Sequence, residues 1–145
     1  MKHNITTKVN NFIMATKVTA IIERGSDGSY SIYTVESFEK FGLFGYGETP
    51  EKAKEDFWES YGELKEMMPD DVPEIDVNFK YDVASFLQEY RDEFSLSGLE
   101  VVTGVNQKQL QHYLSGHRKP SKTTIMKIQF GVREFAKKLA NVEFA

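Results

Sequence analysis

The stretch that most constrains this chain is GVNQKQLQHYLSGHRKPS, Gly104 to Ser121. Gly104 offers the positive-φ position that ends a preceding helix, and Asn106 has the side chain of a good N-cap for the next. Beyond the cap, Leu110, Tyr113 and Leu114 fall on one helical stripe that can seat the helix on a core. The other side carries Gln107, Lys108, Gln111 and His112, with Gln109 on the flank. Side-chain amides donate and accept at once, which is what reading base edges in a major groove requires. Gly116 ends the helix, and His117, Arg118 and Lys119 follow before Pro120 stops further coiling. Cations beside a polar face suit a phosphate backbone. A polar helix on an ordinary bundle is the competing reading of the same residues.

The charge is unevenly placed. Residues 1–80 hold nine Lys/Arg against fifteen Asp/Glu, a balance of −6, whereas residues 81–145 hold nine against seven, or +2. Residues 104–138 hold eight basic side chains and one acidic, or +7. An acidic first half and a basic stripe in the second imply two partners of opposite charge. A length of 145 residues suits one or two small domains, and 40% hydrophobic with 28% charged residues excludes disorder and fibre. No apolar run approaches the ~18–20 residues of a membrane span, and no signal-peptide core opens the chain, so a cytoplasmic location is expected. The absence of cysteine excludes disulfides and thiolate metal sites.

Residues 1–15 have no clear period and read as a leader or docking arm, with Met14 a candidate internal start. Lys17 to Arg24 is a β-branched, apolar strand, and Gly25-Ser26-Asp27-Gly28 is a hairpin turn. Ser29 to Val35 alternates as a second strand, and the glycine-rich, aromatic run Phe41 to Gly47 reads as a third that allows close backbone approach. Thr49-Pro50 opens a helix whose Ala53, Phe57, Tyr61 and Leu64 form its packing stripe. Glu51, Glu55, Glu59 and Glu63 form a carboxylate row, which is either a solvated face or a surface for a basic partner. Ile75 to Tyr81 alternates as a fourth strand.

From residue 82 the pattern is wholly helical. Val83, Phe86, Leu87 and Tyr90 form one stripe, Leu99, Val102 and Val105 surround a short second helix, and a long helix runs from Ser121 to about Asn141. Its Ile125, Ile128, Val132, Phe135 and Leu139 repeat as a heptad-like seam, widened by Met126 and Phe130. That seam is expected to join a homodimer or higher oligomer, or else to be buried in its own domain. The fold class expected is α+β, a β-β-β-α-β domain over residues 16–81 followed by an all-α domain over 82–145.

Two resemblances sharpen these expectations. TGVNQKQLQHYLSGHRKPS resembles the helix-turn-helix of lambda-repressor-like (Xre-type) DNA-binding domains, over roughly residues 82–140. AIIERGSDGSYSIYTVES with GYGETPEKAKEDFWESYGEL is similar to the N-domain of HicB antitoxins, a partial RNase H-like fold. Together they imply a HicB-type antitoxin that neutralises a small basic RNase toxin, HicA-like, and represses its own operon by binding operator DNA. The helix-turn-helix resemblance places Gln107, Lys108, Gln111 and His112 toward the groove, Asn106 near a phosphate at the helix start, and Ser115, Arg118, Lys119 and Ser121 on the backbone. The −6 balance of the first half, the row Glu51, Glu55, Glu59 and Glu63, and the antitoxin resemblance together assign the toxin to the acidic domain. The chain departs from the families twice. Val35-Glu36-Ser37-Phe38-Glu39 stands where the antitoxins carry Pro-Asp-Leu-Pro-Gly. Glu100 stands where a small residue lets the two helices cross closely, so a local register shift or a splayed helix is expected. A ligand-responsive helix-turn-helix regulator is the alternative reading.

Catalysis, a cofactor and a metal are not expected. Two-metal hydrolysis needs carboxylates converging about 4 Å around the ions, and Glu23, Glu36, Asp76, Glu48 and Asp56 form no obvious cluster. His3, His112 and His117 lack ligand spacing. Ser95, Ser97 and Ser115 lack a His–Asp partner arrangement.

Overall fold

A computed structural model describes residues 15–36 and 41–145. Met14 and Ser37-Phe38-Glu39, with the leader expected before Ala15, lie outside the described residues. The protein is mixed α+β and divides into two compact units, Met1–Asp82 and Val83–Ala145.

The first unit contains β1 (Thr16–Arg24), β2 (Tyr30–Thr34), β3 (Phe44–Gly47), α1 (Pro50–Met67) and β4 (Ile75–Tyr81). The sheet order is β3-β2-β1-β4, antiparallel except for the parallel β1–β4 pair. Gly28, at φ 85°, makes the tight β1–β2 turn, where the Gly25 N–H donates to the Ser29 carbonyl at 2.7 Å. Both the N–H and the hydroxyl of Ser29 donate to Asp27, which holds that carboxyl below its ordinary range. Val18, Ala20, Ile22, Tyr30 and Ile32 turn inward, as the strand period of two requires, and all but Val18 join Ala53 and Phe57 of α1 in one core. The Phe57 and Phe79 rings meet edge to face at 5.5 Å. The Thr49 side chain caps α1 by accepting from the Lys52 N–H, and Pro50 starts the helix without wasting a donor.

The third strand is shorter than its sequence suggests. It starts at Phe44, not Phe41, because its last partner on β2 is Tyr33. Leu43 before it is buried as a core residue. Gly45 and Gly47 lie so close to the α1 backbone around Ala53 that no side chain would fit there.

Phe44, Tyr33, Ile21 and Lys80 are aligned across all four strands on the sheet face opposite α1. Tyr33 donates to Glu23 Oε1 at 2.7 Å. That bond to a carboxylate, then partial burial and the charges of Glu23 and Asp82, push its phenol up to about 12. The folded state thus favours the protonated phenol: the stabilisation is complete below the ordinary tyrosine range, near pH 10, and is lost as pH rises through about 12. In a spectrophotometric titration, Tyr33→Phe should remove a late-ionising tyrosine; an unchanged high-pH limb would contradict this.

The second unit is built of α2 (Val83–Glu89), α3 (Leu96–Thr103), α4 (Gln107–Leu114) and α5 (Lys122–Ala140). Its core gathers Leu87, Leu99, Val105, Leu110, Tyr113 and Ile128. Tyr90 leaves the expected α2 stripe because the helix ends at Glu89, and its ring leans on Phe86 at 5.1 Å instead. The departure at Glu100 is accommodated because Leu99 and Thr103 are the buried residues of α3, while Glu100 is only half-buried. Among the described residues no helix is long and apolar enough to cross a membrane.

Of the two outcomes expected for the α5 seam, burial in its own domain holds at the centre of the helix. Ile128 is only 5% exposed and belongs to the core of its own unit, with Val132 packed at its margin. Phe135 meets Phe94 edge to face at 6.1 Å. Ile125 and Leu139, at the two ends of the seam, are exposed, as are Met126 and Phe130 on the opposite side. A repeat of three and four marks the buried stripe of a helix whether the partner is its own domain or another chain.

Candidate nucleic-acid interface

The geometry of α4 begins with its two ends. Gly104, at φ 71°, caps α3 in the left-handed conformation, and its N–H donates to the Glu100 carbonyl at 2.8 Å. Lys127 Nζ donates to the Gly104 carbonyl at 3.1 Å, so one cation of the basic stripe is engaged at the α3 terminus. Thr103 Oγ1 donates to the Leu99 carbonyl and accepts from the Val105 N–H, fixing the turn from within. Two residues on, the Asn106 side chain accepts from the Lys108 N–H at 2.8 Å and caps α4. Gly116, at φ 75°, follows the C-cap Ser115.

Leu110 and Tyr113 are buried, which turns the rest of α4 outward. Gln107, Lys108, Gln109 and Gln111 are exposed. His112 is half-buried, with its ring 5.1 Å from that of His117, and its carbonyl accepts from the Arg118 N–H at 3.2 Å. This folds the exit loop back on the helix end and leaves Arg118 and Lys119 exposed beside it. Three nominated contacts have local work as well: Asn106 caps α4, Ser121 caps α5 by accepting from the Thr124 N–H, and Ser115 Oγ donates to the His112 carbonyl. The sequence reading missed Gln88, whose Nε2 donates to the Leu114 carbonyl at 3.2 Å and ties α2 to the end of α4. Nothing in the α2 pattern marks that polar residue as a brace.

On the first unit, Glu51, Glu55, Glu59 and Glu63 are all exposed on α1, on the side away from Ala53 and Phe57. The nearest exposed aromatic residues that could anchor a partner there, in the stretch Phe38 to Tyr46, do not share that side among the described residues. Phe38 is outside the described residues, and Phe44 and Tyr46 are exposed on the sheet face opposite α1. The sheet separates charge row from aromatics, so they are two surfaces. Three of the carboxylates considered for metal chemistry are engaged singly: Glu23 of β1 by Tyr33, Glu36 after β2 by the Thr19 N–H, and Asp56 of α1 by the Tyr46 N–H. Among the described residues no three His, Asp or Glu side chains gather as a metal site.

Comparison with family models, with curated proteins and with solved structures gave no match to this chain.

Proposed function

We propose that the chain is a DNA-binding antitoxin: its second unit reads operator DNA and represses transcription, and its first binds a small basic RNase toxin without catalysing a reaction itself. The observation that carries the DNA-binding half is α4, seated by buried Leu110 and Tyr113 with Gln107, Lys108 and Gln111 exposed on its outer side. In this reading α3 and α4 are the two helices of a helix-turn-helix, and glutamine and lysine on the second are good partners for adenine and guanine edges. Arg118 and Lys119 at the helix exit suit phosphate contacts. The antitoxin half rests on the resemblance of the first unit to HicB N-domains, its −6 balance and the exposed glutamate row. Complementary charge speeds and orients such an encounter, while buried apolar anchors supply affinity.

The test is titration of the full chain on duplexes selected from a random library. Arg118→Ala should weaken binding on every sequence and reduce the log–log salt slope by about 1. Gln107→Ala should instead relax preference at one base pair, by ~1–3 kcal/mol. Unchanged affinity and slope in Arg118→Ala would remove the phosphate role, and failure to bind any duplex would overturn the reading. Capture of a small basic RNase by the full chain supports the antitoxin half. A ligand-induced thermal shift without such capture favours the ligand-responsive regulator.

A further inference from the structure

The two edges of the first unit's sheet are treated differently. At the β3 edge, the Tyr46 N–H donates to Asp56 Oδ2 of α1 at 2.8 Å, so a helix carboxylate already occupies that edge. At the other edge, β4 runs for seven residues and has one strand neighbour among the described residues, β1. The N–H and C=O groups of Val77 and Phe79, at the middle of β4, turn away from β1 and form a template for another strand.

We propose that the β4 edge pairs with β4 of a second copy, antiparallel and centred on Asn78, joining two sheets into one. Strand parity and charge select that register. Ile75, Val77, Phe79 and Tyr81 face the core side, and Asp76, Asn78 and Lys80 are exposed on the other. Pairing must match like faces, since a slip of one residue would set the apolar set against the polar set. Among the registers that do so, centring on Asn78 places Asp76 of each copy opposite Lys80 of the other, twice per dimer. It also sets Val77 against Phe79 and Ile75 against Tyr81 and pairs the whole strand. Centring on Asp76 or on Lys80 would oppose like charges, which is unfavourable, and centring on Val77 or Phe79 keeps like faces together but sets Asp76 against no Lys80.

A second observation lies on the core side of the same edge. Trp58 of α1 is 41% exposed and stacks edge to face on Phe79, with ring centroids 6.2 Å apart. Lys54 Nζ lies 5.4 Å from the centroid of the same Phe79 ring. The four core-side residues of β4 are themselves only partly covered. The edge strand thus has an apolar ledge that a neighbouring strand and its own Trp58 would bury. The inference does not depend on the DNA-binding reading.

The test uses the full chain in sedimentation velocity, with Trp58, its sole tryptophan, as a second reporter. A dimer is expected whose formation with rising concentration shifts Trp58 emission to the blue. Asp76→Lys and Lys80→Asp should each weaken it by about tenfold, because each turns two attractive cross-strand pairs into repulsive ones. The double variant restores the pairs in mirror image and should return the dimer to near wild-type strength. The rescue also controls for Lys17, the neighbour of Asp76 on β1, which gains nothing from the change at residue 80. A wild-type monomer at the highest soluble concentration, a dimer indifferent to either single change, or a double variant no stronger than the singles would each overturn the proposal.

Discussion

Gly45→Ala is expected to destabilise the first unit by about 3 kcal/mol, the upper range for overpacking a filled core. A Cβ at Gly45 would stand 2.2 Å from the Ala53 carbonyl oxygen, 2.7 Å from Phe57 Cβ and 2.8 Å from the Phe57 nitrogen. Two of these three atoms belong to the α1 backbone and cannot rotate away; relief requires α1 to lift from β3. Lifting it would loosen the contacts of Ala53 and Phe57, which are fully buried. Gly62, on the same helix, is the control: a Cβ there meets nothing within 4 Å. Gly62→Ala should therefore stabilise α1 by about 0.5–1 kcal/mol, the ordinary glycine cost in a helix. Urea unfolding followed by Trp58 fluorescence reads both, since Trp58 lies 5.5 Å from the Phe57 ring in the affected layer. Equal midpoints for wild type and Gly45→Ala would show that α1 does not press on β3 as described.

The pattern of glycines and caps was the most readable part of the sequence. Thr49-Pro50, Gly104, Asn106 and Gly116 each act locally, through one side chain or one backbone conformation, and they stand where their types predicted. The four strand segments were legible, β1 from its β-branched run, β2 and β4 from alternation and β3 from its aromatic, glycine-rich run, but the start of β3 was not, because it is set by where pairing with β2 begins, at Tyr33. What covers α5 was left open by the sequence for a different reason. Both sides of that helix carry large apolar residues, and periodicity gives a stripe without saying what covers it. Gly131 held the missing signal. A Cβ there would come within 2.4 Å of the Val102 carbonyl oxygen, so the glycine marks the side pressed against α3. A glycine inside a long helix costs about 1 kcal/mol, and such a cost invites the question of what packs there. The polar braces were beyond sequence reading. Asp56 reaches Tyr46, and Gln88 reaches Leu114, only because the fold brings distant segments together. At the candidate interface, the sequence supplied the outward residues of α4 but not their division of labour, since Asn106, Ser115 and Ser121 also hold local backbone groups.

Leu110→Ala should have the largest effect on the second unit, about 2–5 kcal/mol, the range for emptying a leucine site in a packed core. Leu110 is fully buried among Leu87, Leu99, Val105, Tyr113 and Ile128, which come from α2, α3, the turn before α4, α4 itself and α5. No single neighbour can move in to fill the space, because each is fixed by a different element. The same side chain decides which way α4 faces. Without it, the helix loses the deepest of the contacts that turn Gln107, Lys108 and Gln111 outward, and the proposed DNA binding should weaken along with stability. Leu110→Met, which nearly conserves volume, should cost less than about 1.5 kcal/mol and keep DNA binding. The two units make the readout specific. Circular dichroism follows the helices of both units, whereas Trp58 fluorescence reports the first, whose urea midpoint should stay in place, so a helical transition that moves without it belongs to the second unit. If Leu110→Ala left the helical transition unmoved, the core assigned to the second unit would be wrong. If it lowered stability yet left DNA affinity intact at temperatures where the variant is folded, the orientation of α4 would not depend on this anchor, and the recognition face would have to be sought on another helix.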